Sequence, residues 1–198
     1  MEKKVAVILA DGFEEAEALV VVDILRRSGI ICDMISIHKE IVLGSHRIKV
    51  LADKLFDEID KNSYDMIFLP GGHVGANNLR DFLPLVEWIK DFNEKGKYLA
   101  AICAAPIVFA KANIVNGKNI TSYPDDIYRE EFINATYIDD DGKMDEMVVV
   151  DDNIITSRGP ATVFPFAYKL VDILGKDSKN LKVGMLYNDF CKEIKDNR

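Results

Sequence analysis

The chain is poor in cysteine. Its three cysteines, Cys32, Cys103 and Cys191, are an odd number spread over 198 residues, with no C-x-x-C pair and no His-flanked spacing. That excludes a disulfide framework and a zinc ribbon, and free thiols in a reducing compartment are expected. Cationic charge is also short: 25 Lys and Arg against 33 Asp and Glu leave a net charge of −8, with no basic stripe. Nothing here neutralises phosphates, so no nucleic-acid partner is expected. Long apolar runs are missing as well. Val5 to Ala10 is broken by Asp11-Gly12, too soon for a signal core or a membrane span, so no membrane role and a cytoplasmic location are expected. No Gly-Lys-Ser/Thr loop and no G-x-G-x-x-G after the first strand occur, so neither phosphate-loop nor dinucleotide chemistry is expected. Internal repeats, low-complexity stretches and linkers are absent too, which leaves one domain over residues 1–198. A domain of that size buries roughly 70% of its unfolded surface and needs no metal to hold it.

What is present alternates between short apolar runs and segments of helical period, the rhythm of βαβ units. Val5 to Leu9 reads as a buried strand, and a helix over about Glu14 to Ser28 follows, closed by Gly29 as a C-cap. Ile30 to Ile37 is a second strand and Ile41 to Leu51 a small hairpin or an edge strand rather than core. Asp65 to Leu69 is a third run, stopped by Pro70-Gly71-Gly72, with a helix after a loop through Leu79, Phe82, Leu85, Trp88 and Ile89. Tyr98 to Ile102 is the fourth, and beyond Cys103 the residues Pro106 to Ala112 turn helical at once. From Asn119 to Ser157 the texture is β-rich, with turns at Asp140-Asp141-Gly142 and Asp151-Asp152-Asn153, before a final helix over about Ala161 to Leu174. The acidic cluster Asp139 to Glu146 lacks the EF-hand order of ligands and reads as a solvated turn rather than a metal site.

In an open α/β sheet, ligands collect at the carboxyl ends of the strands. Those ends hold Asp11-Gly12-Phe13-Glu14-Glu15-Ala16-Glu17, Pro70-Gly71-Gly72-His73 and Cys103-Ala104-Ala105-Pro106. A strand-Cys-Ala-Ala-Pro-helix junction has the features of a nucleophile elbow: small neighbours, and a Pro suited to a first helical turn. A helix N-terminus there would favour thiolate over thiol. Cys32 and Cys191 have no such setting and read as inert. Two consecutive glycines permit close backbone approach beside the thiol. Three glutamates, Glu14, Glu15 and Glu17, could each turn inwards, and periodicity does not choose between them.

These motifs, with Ala101 to Pro106 and Thr156-Ser157-Arg158-Gly159-Pro160, resemble the ThiJ/PfpI family, in particular its deglycase and YajL-like branch. The likeness runs in the same order along essentially the whole chain. It implies a flavodoxin-like α/β three-layer sandwich with a mostly parallel central sheet, related to the class I glutamine amidotransferases, and a homodimer. It makes Cys103 the reactive residue and Glu17 its carboxyl partner. It places Gly72 and Ala104 as backbone N–H donors to an oxyanion beside Gly71, and puts Arg158 and Pro160 at the pocket border. Where deglycase-type members have His-Pro, this chain has Tyr123-Pro124, so the third side chain is a tyrosine. His73 stands where Asn is common in the family, either in a working role or facing water. For the dimer, Leu19, Val20, Val21 and Val22 offer more apolar positions than one buried stripe requires.

The function implied is cofactor-free conversion of small α-oxoaldehydes, glutathione-independent glyoxalase chemistry, or deglycation of protein or nucleotide by the same route. The alternative is a redox-sensing stress-response or chaperone protein acting through oxidation of Cys103. Peptide hydrolysis is a third reading, weakened by the absence of a His after Ser122.

Overall fold

The computed structural model describes residues 2–139 and 147–196. The first strand, β1 (Lys4–Leu9), shows why a sheet forms with cover on both sides. Ala6 and Ile8 enter one apolar cluster while Val5, Val7 and Leu9 enter another, and all five are fully buried. Period-two alternation sends apolar side chains both ways, so each face needs a layer of helices. Each such Val, Ile or Leu contributes roughly 1.5–3 kcal/mol of burial.

Helix α1 (Glu15–Arg27) leads to β2 (Ile31–Ser36), a hairpin of β3 (Ile41–Leu43) and β4 (Lys49–Leu51), and the short β5 (Lys54–Leu55). Strand β6 (Met66–Leu69) is followed by α2 (His73–Asp81), α3 (Leu83–Glu94), β7 (Tyr98–Ile102) and α4 (Ile107–Lys111). Then come β8 (Asn119–Ile120), α5 (Asp126–Arg129), β9 (Thr136–Tyr137), β10 (Val148–Asp151) and β11 (Ile154–Ser157). The chain closes with α6 (Val163–Ile173), α7 (Lys179–Gly184) and α8 (Tyr187–Asp196).

Among the described residues the central sheet has seven strands in the order β10-β11-β7-β6-β1-β2-β5. Its pairings are parallel except β10 with β11. Helices α1 and α6 cover one face and α2, α3 and α4 the other. The α/β sandwich with an antiparallel edge is therefore as expected.

Three sequence expectations need correction. No loop separates Gly72 from a helix: α2 begins directly at His73. The single helix expected through Leu79 to Ile89 is two, because Pro84 sits at the start of α3; its ring and missing N–H would break a continuous helix there. The helix near residue 174 is not the last, since α7 and α8 follow. Of the four positions suggested for a second copy, Val21 and Val22 pack in the core, while Leu19 is 37% exposed and Val20 half-buried. The turn at Asp152 exists, closing β10 on β11; the one expected at 140–146 lies outside the described residues. No helix among the described residues is long and apolar enough to cross a membrane.

Candidate active site

Two turns at the carboxyl end of the sheet are laced together. After β1 the chain reverses at Gly12, whose φ of +86° is the left-handed region and whose added Cβ would lie 2.6 Å from Val74 Cβ. Its carbonyl accepts from Gly75 N–H at 3.1 Å, and Glu14 N–H donates to Gly71 O at 2.9 Å. This fixes the start of α1 against Gly71 and Gly72, and the helix carries Glu17 inwards to full burial. Gly71 N–H donates to Glu17 Oε2 at 2.8 Å. A side chain at Gly71 has no space: its Cβ would fall 2.6 Å from Cys103 Cβ, 2.7 Å from Glu17 Oε2 and 2.9 Å from Ile102 O. The glycine is what lets thiol and carboxyl meet.

Cys103 follows β7 with φ of 62°, a strained conformation for a residue with a side chain. The neighbours hold it there. Its N–H donates to Ser157 O at 3.0 Å, its carbonyl accepts from Tyr123 N–H at 2.8 Å, and Ala105 N–H donates to Ile102 O at 3.0 Å. The sulfur is thereby turned towards the backbone N–H groups of Gly72 and Ala104, which hydrogen-bond it. Glu17 couples to the same sulfur. Its Oε1 is buried with no hydrogen-bond partner of good geometry among the described residues.

The electrostatics correct one expectation. Burial pushes the Cys103 thiol up to about 12, helped by the charge of Glu17 and opposed by the two N–H groups. Helix α4, which was to favour the thiolate, has only five residues and begins after Pro106, too short for a strong dipole. Burial likewise pushes the Glu17 carboxyl up to about 7, against the lowering effect of Gly71 N–H and of the thiol. The pair therefore holds at most one negative charge near neutrality. A carboxyl that titrates there can both take and return a proton.

The other expected residues stand on segments next in sequence to those that hold the thiol. Tyr123 is 44% exposed and packs edge-on against Tyr128, ring centroids 6.3 Å apart. Its backbone N–H donates to the Cys103 carbonyl. His73 is exposed on the first turn of α2, with Nδ1 2.9 Å from the Tyr128 hydroxyl. The Arg158 side chain is 13% exposed, with one guanidinium nitrogen 3.9 Å from Asp139 Oδ1 and another buried without a hydrogen-bond partner among the described residues. Pro160 is exposed at the start of a 3₁₀ turn.

Residues 3–173 match the DJ-1/PfpI family. The chain belongs to that family. Drosophila melanogaster protein dj-1beta is 36% identical over 181 residues, covering 90% of this chain and 93% of that protein. Its crystal structure superposes with a TM-score of 0.87 at 35% identity, over 94% of this chain and 98% of the other. The Escherichia coli protein/nucleic acid deglycase 2 is 31% identical over 179 residues, 88% of this chain and 99% of its own length. Oxidized Toxoplasma gondii DJ-1 superposes with a TM-score of 0.84 at 33% identity, covering 93% and 98% of the two chains.

In this DJ-1/PfpI chain one residue beside the thiol escaped the sequence reading. Tyr128 is 7% exposed, and Cys103 and Glu17 both act on its titration. Its spacing of five from Tyr123, across the turn into the short α5, matches neither helical nor strand period. Among the described residues, Glu14, Glu15 and His46 form a group of metal-capable side chains, with ligand atoms within 4.8 Å of one another. Glu15 is already engaged there: Oε1 accepts from His46 N–H at 2.8 Å and Ile48 N–H at 3.3 Å, and Oε2 accepts from the Ser45 hydroxyl at 3.0 Å. Its work is to tie the β3–β4 hairpin to α1.

Proposed function

We propose that the protein is a cysteine-dependent, cofactor-free enzyme acting on small α-oxoaldehydes, with deglycation as a variant of the same chemistry. The observation that supports this best is the meeting, at a strained elbow, of the Cys103 thiol, a carboxyl that titrates near neutrality and two backbone N–H groups. The thiol adds across the aldehyde. The S–H bond breaks as the C–S bond forms: the Glu17 carboxylate takes the thiol proton and passes it to the carbonyl oxygen, which receives the π pair and is held by the Gly72 and Ala104 N–H groups. Glu17 removes the proton from the former aldehyde carbon and returns it to the neighbouring carbon, while the hemithioacetal hydroxyl proton passes to the second carbonyl oxygen, which turns the hemithioacetal into the thioester of a 2-hydroxy acid. Water then cleaves the C–S bond, releasing a 2-hydroxy acid and restoring the thiol. The deglycase relative supports the same family of adducts. The test is incubation with methylglyoxal without glutathione: lactate is expected from the wild type and none above background from Cys103→Ser. No lactate from the wild type would sink the reading.

Glu17 Oε1, buried without a hydrogen-bond partner among the described residues, favours a second reading, a peroxide sensor. Hydrogen peroxide would oxidise the sulfur in two steps to sulfinate, each peroxide leaving as water, and a protonated Glu17 would donate to a sulfinate oxygen. Mass analysis after graded peroxide is expected to stop at two added oxygens in the wild type and to run to three in Glu17→Asp, whose carboxyl is withdrawn by one methylene. Passage of the wild type straight to three would exclude it. We propose a cytoplasmic homodimer whose contact includes Leu19 and Val20; light scattering at micromolar concentration should give twice 22.3 kDa, and a monomer mass refutes it.

A further inference from the structure

His73 and Tyr128 stand on the two segments that flank the thiol and have no part in the chemistry above. His73 follows Gly72, whose N–H reaches the sulfur, and Tyr128 follows Tyr123, whose N–H holds the Cys103 carbonyl at 2.8 Å. The pair is joined by the 2.9 Å contact between His73 Nδ1 and the Tyr128 oxygen. Asn77 fixes which atom donates. Its side-chain amide nitrogen lies 2.8 Å from the His73 carbonyl, a place only the NH₂ end can occupy, and 3.4 Å from His73 Nε2. Its second hydrogen therefore faces Nε2, which must accept. The ring proton belongs on Nδ1 and is donated to the Tyr128 oxygen. The hydroxyl proton of Tyr128 is then left without an acceptor among the described residues.

From this network we infer that Tyr128, anchored by His73, determines specificity by donating its hydroxyl to the second oxygen of a 1,2-dicarbonyl substrate held on Cys103. Gly72 and Ala104 N–H groups already serve the oxygen on the carbon under attack, so a donor from another element suits the adjacent carbonyl. Burial, then the charges of Cys103, Asp125, Tyr123 and Glu17 in that order, push the Tyr128 hydroxyl up to about 12, so it stays a donor at neutral pH. The inference rests on the α-oxoaldehyde reading, but its test does not need turnover.

Methylglyoxal and propanal differ only in the second carbonyl oxygen. Each, in large excess and over short times, is used to protect Cys103 from iodoacetamide, and the concentration giving half-protection is read by mass mapping. Tyr128→Phe keeps the ring against Tyr123 and is expected to weaken protection by methylglyoxal about tenfold, the effect of one lost hydrogen bond, with propanal unchanged. His73→Ala, which leaves the buried ring untouched, is expected to give a smaller loss confined to methylglyoxal. Equal losses for both aldehydes, or none, overturn the assignment. If the wild type makes no lactate yet Tyr128→Phe shows the selective loss, the enzyme reading falls and this one stands. If lactate forms and no selective loss appears, the reverse holds.

Discussion

Glu17→Gln is expected to lose turnover by about 100- to 10,000-fold, the usual contribution of a positioned acid–base group, and at the same time to melt at a higher temperature than the wild type at pH 8. The two effects share one cause. Burial raises the folded-state carboxyl from 4.5 to about 7, so between those values the folded chain holds a proton that the unfolded chain has released. Wild-type stability therefore falls as pH rises through that window and levels off above it. At about 1.4 kcal/mol per pH unit the cost at pH 8 is about 3 kcal/mol. A neutral amide avoids it. For a chain of this size the gain in Tm at pH 8 is roughly 6–12 °C, shrinking towards zero near pH 4. Melting curves at pH 4, 6 and 8 check it, and a constant offset between variant and wild type would show that ionisation of Glu17 is not the cause.

Gly71→Ala should be nearly as damaging by a different route. Its added methyl meets Cys103 Cβ at 2.6 Å, Glu17 Oε2 at 2.7 Å and the Ile102 carbonyl at 2.9 Å. Two of these are the working pair and the third is the backbone of a central strand, so nothing can yield without opening the site. Overpacking of this kind costs about 1–3 kcal/mol, and the variant should melt several degrees lower and lose at least 100-fold in lactate formation. Gly96→Ala is the control: an added Cβ there meets nothing within 4 Å, although its positive φ costs a little stability. Unimpaired turnover in Gly71→Ala would mean that the carboxyl and thiol do not need this closeness.

The parts of the fold legible in the sequence were those governed by local pattern. Strand β7 runs over Tyr98 to Ile102 as read, because an unbroken apolar run between polar turns admits little else. The joints decided by a single residue were harder: Pro84 splits a helix whose apolar spacing is otherwise continuous. Helix α8 does not stand out in the sequence although Tyr187, Phe190, Cys191 and Ile194 keep helical spacing, since its overall composition is polar. At the site, motif order brought out Cys103, Glu17, Gly71, Gly72 and Ala104. Tyr128 was invisible because its place depends on a turn that folds back over the elbow. The titration of the pair could not be read either. It depends on burial, which no spacing of residues reports.

Cys103 sits at a φ of 62°, a region that costs a residue with a side chain about 1–2 kcal/mol and glycine almost nothing. Ser or Ala at this position would inherit the strain, whereas Gly would shed it along with the sulfur. Glu17 behaves alike, being tolerated in the folded chain at neutral pH only at a loss. A library of this chain selected for heat resistance alone would thus drift towards inactivity, with positions 17 and 103 among the first to be rewritten, and resistance gained there would be a warning sign to anyone engineering it.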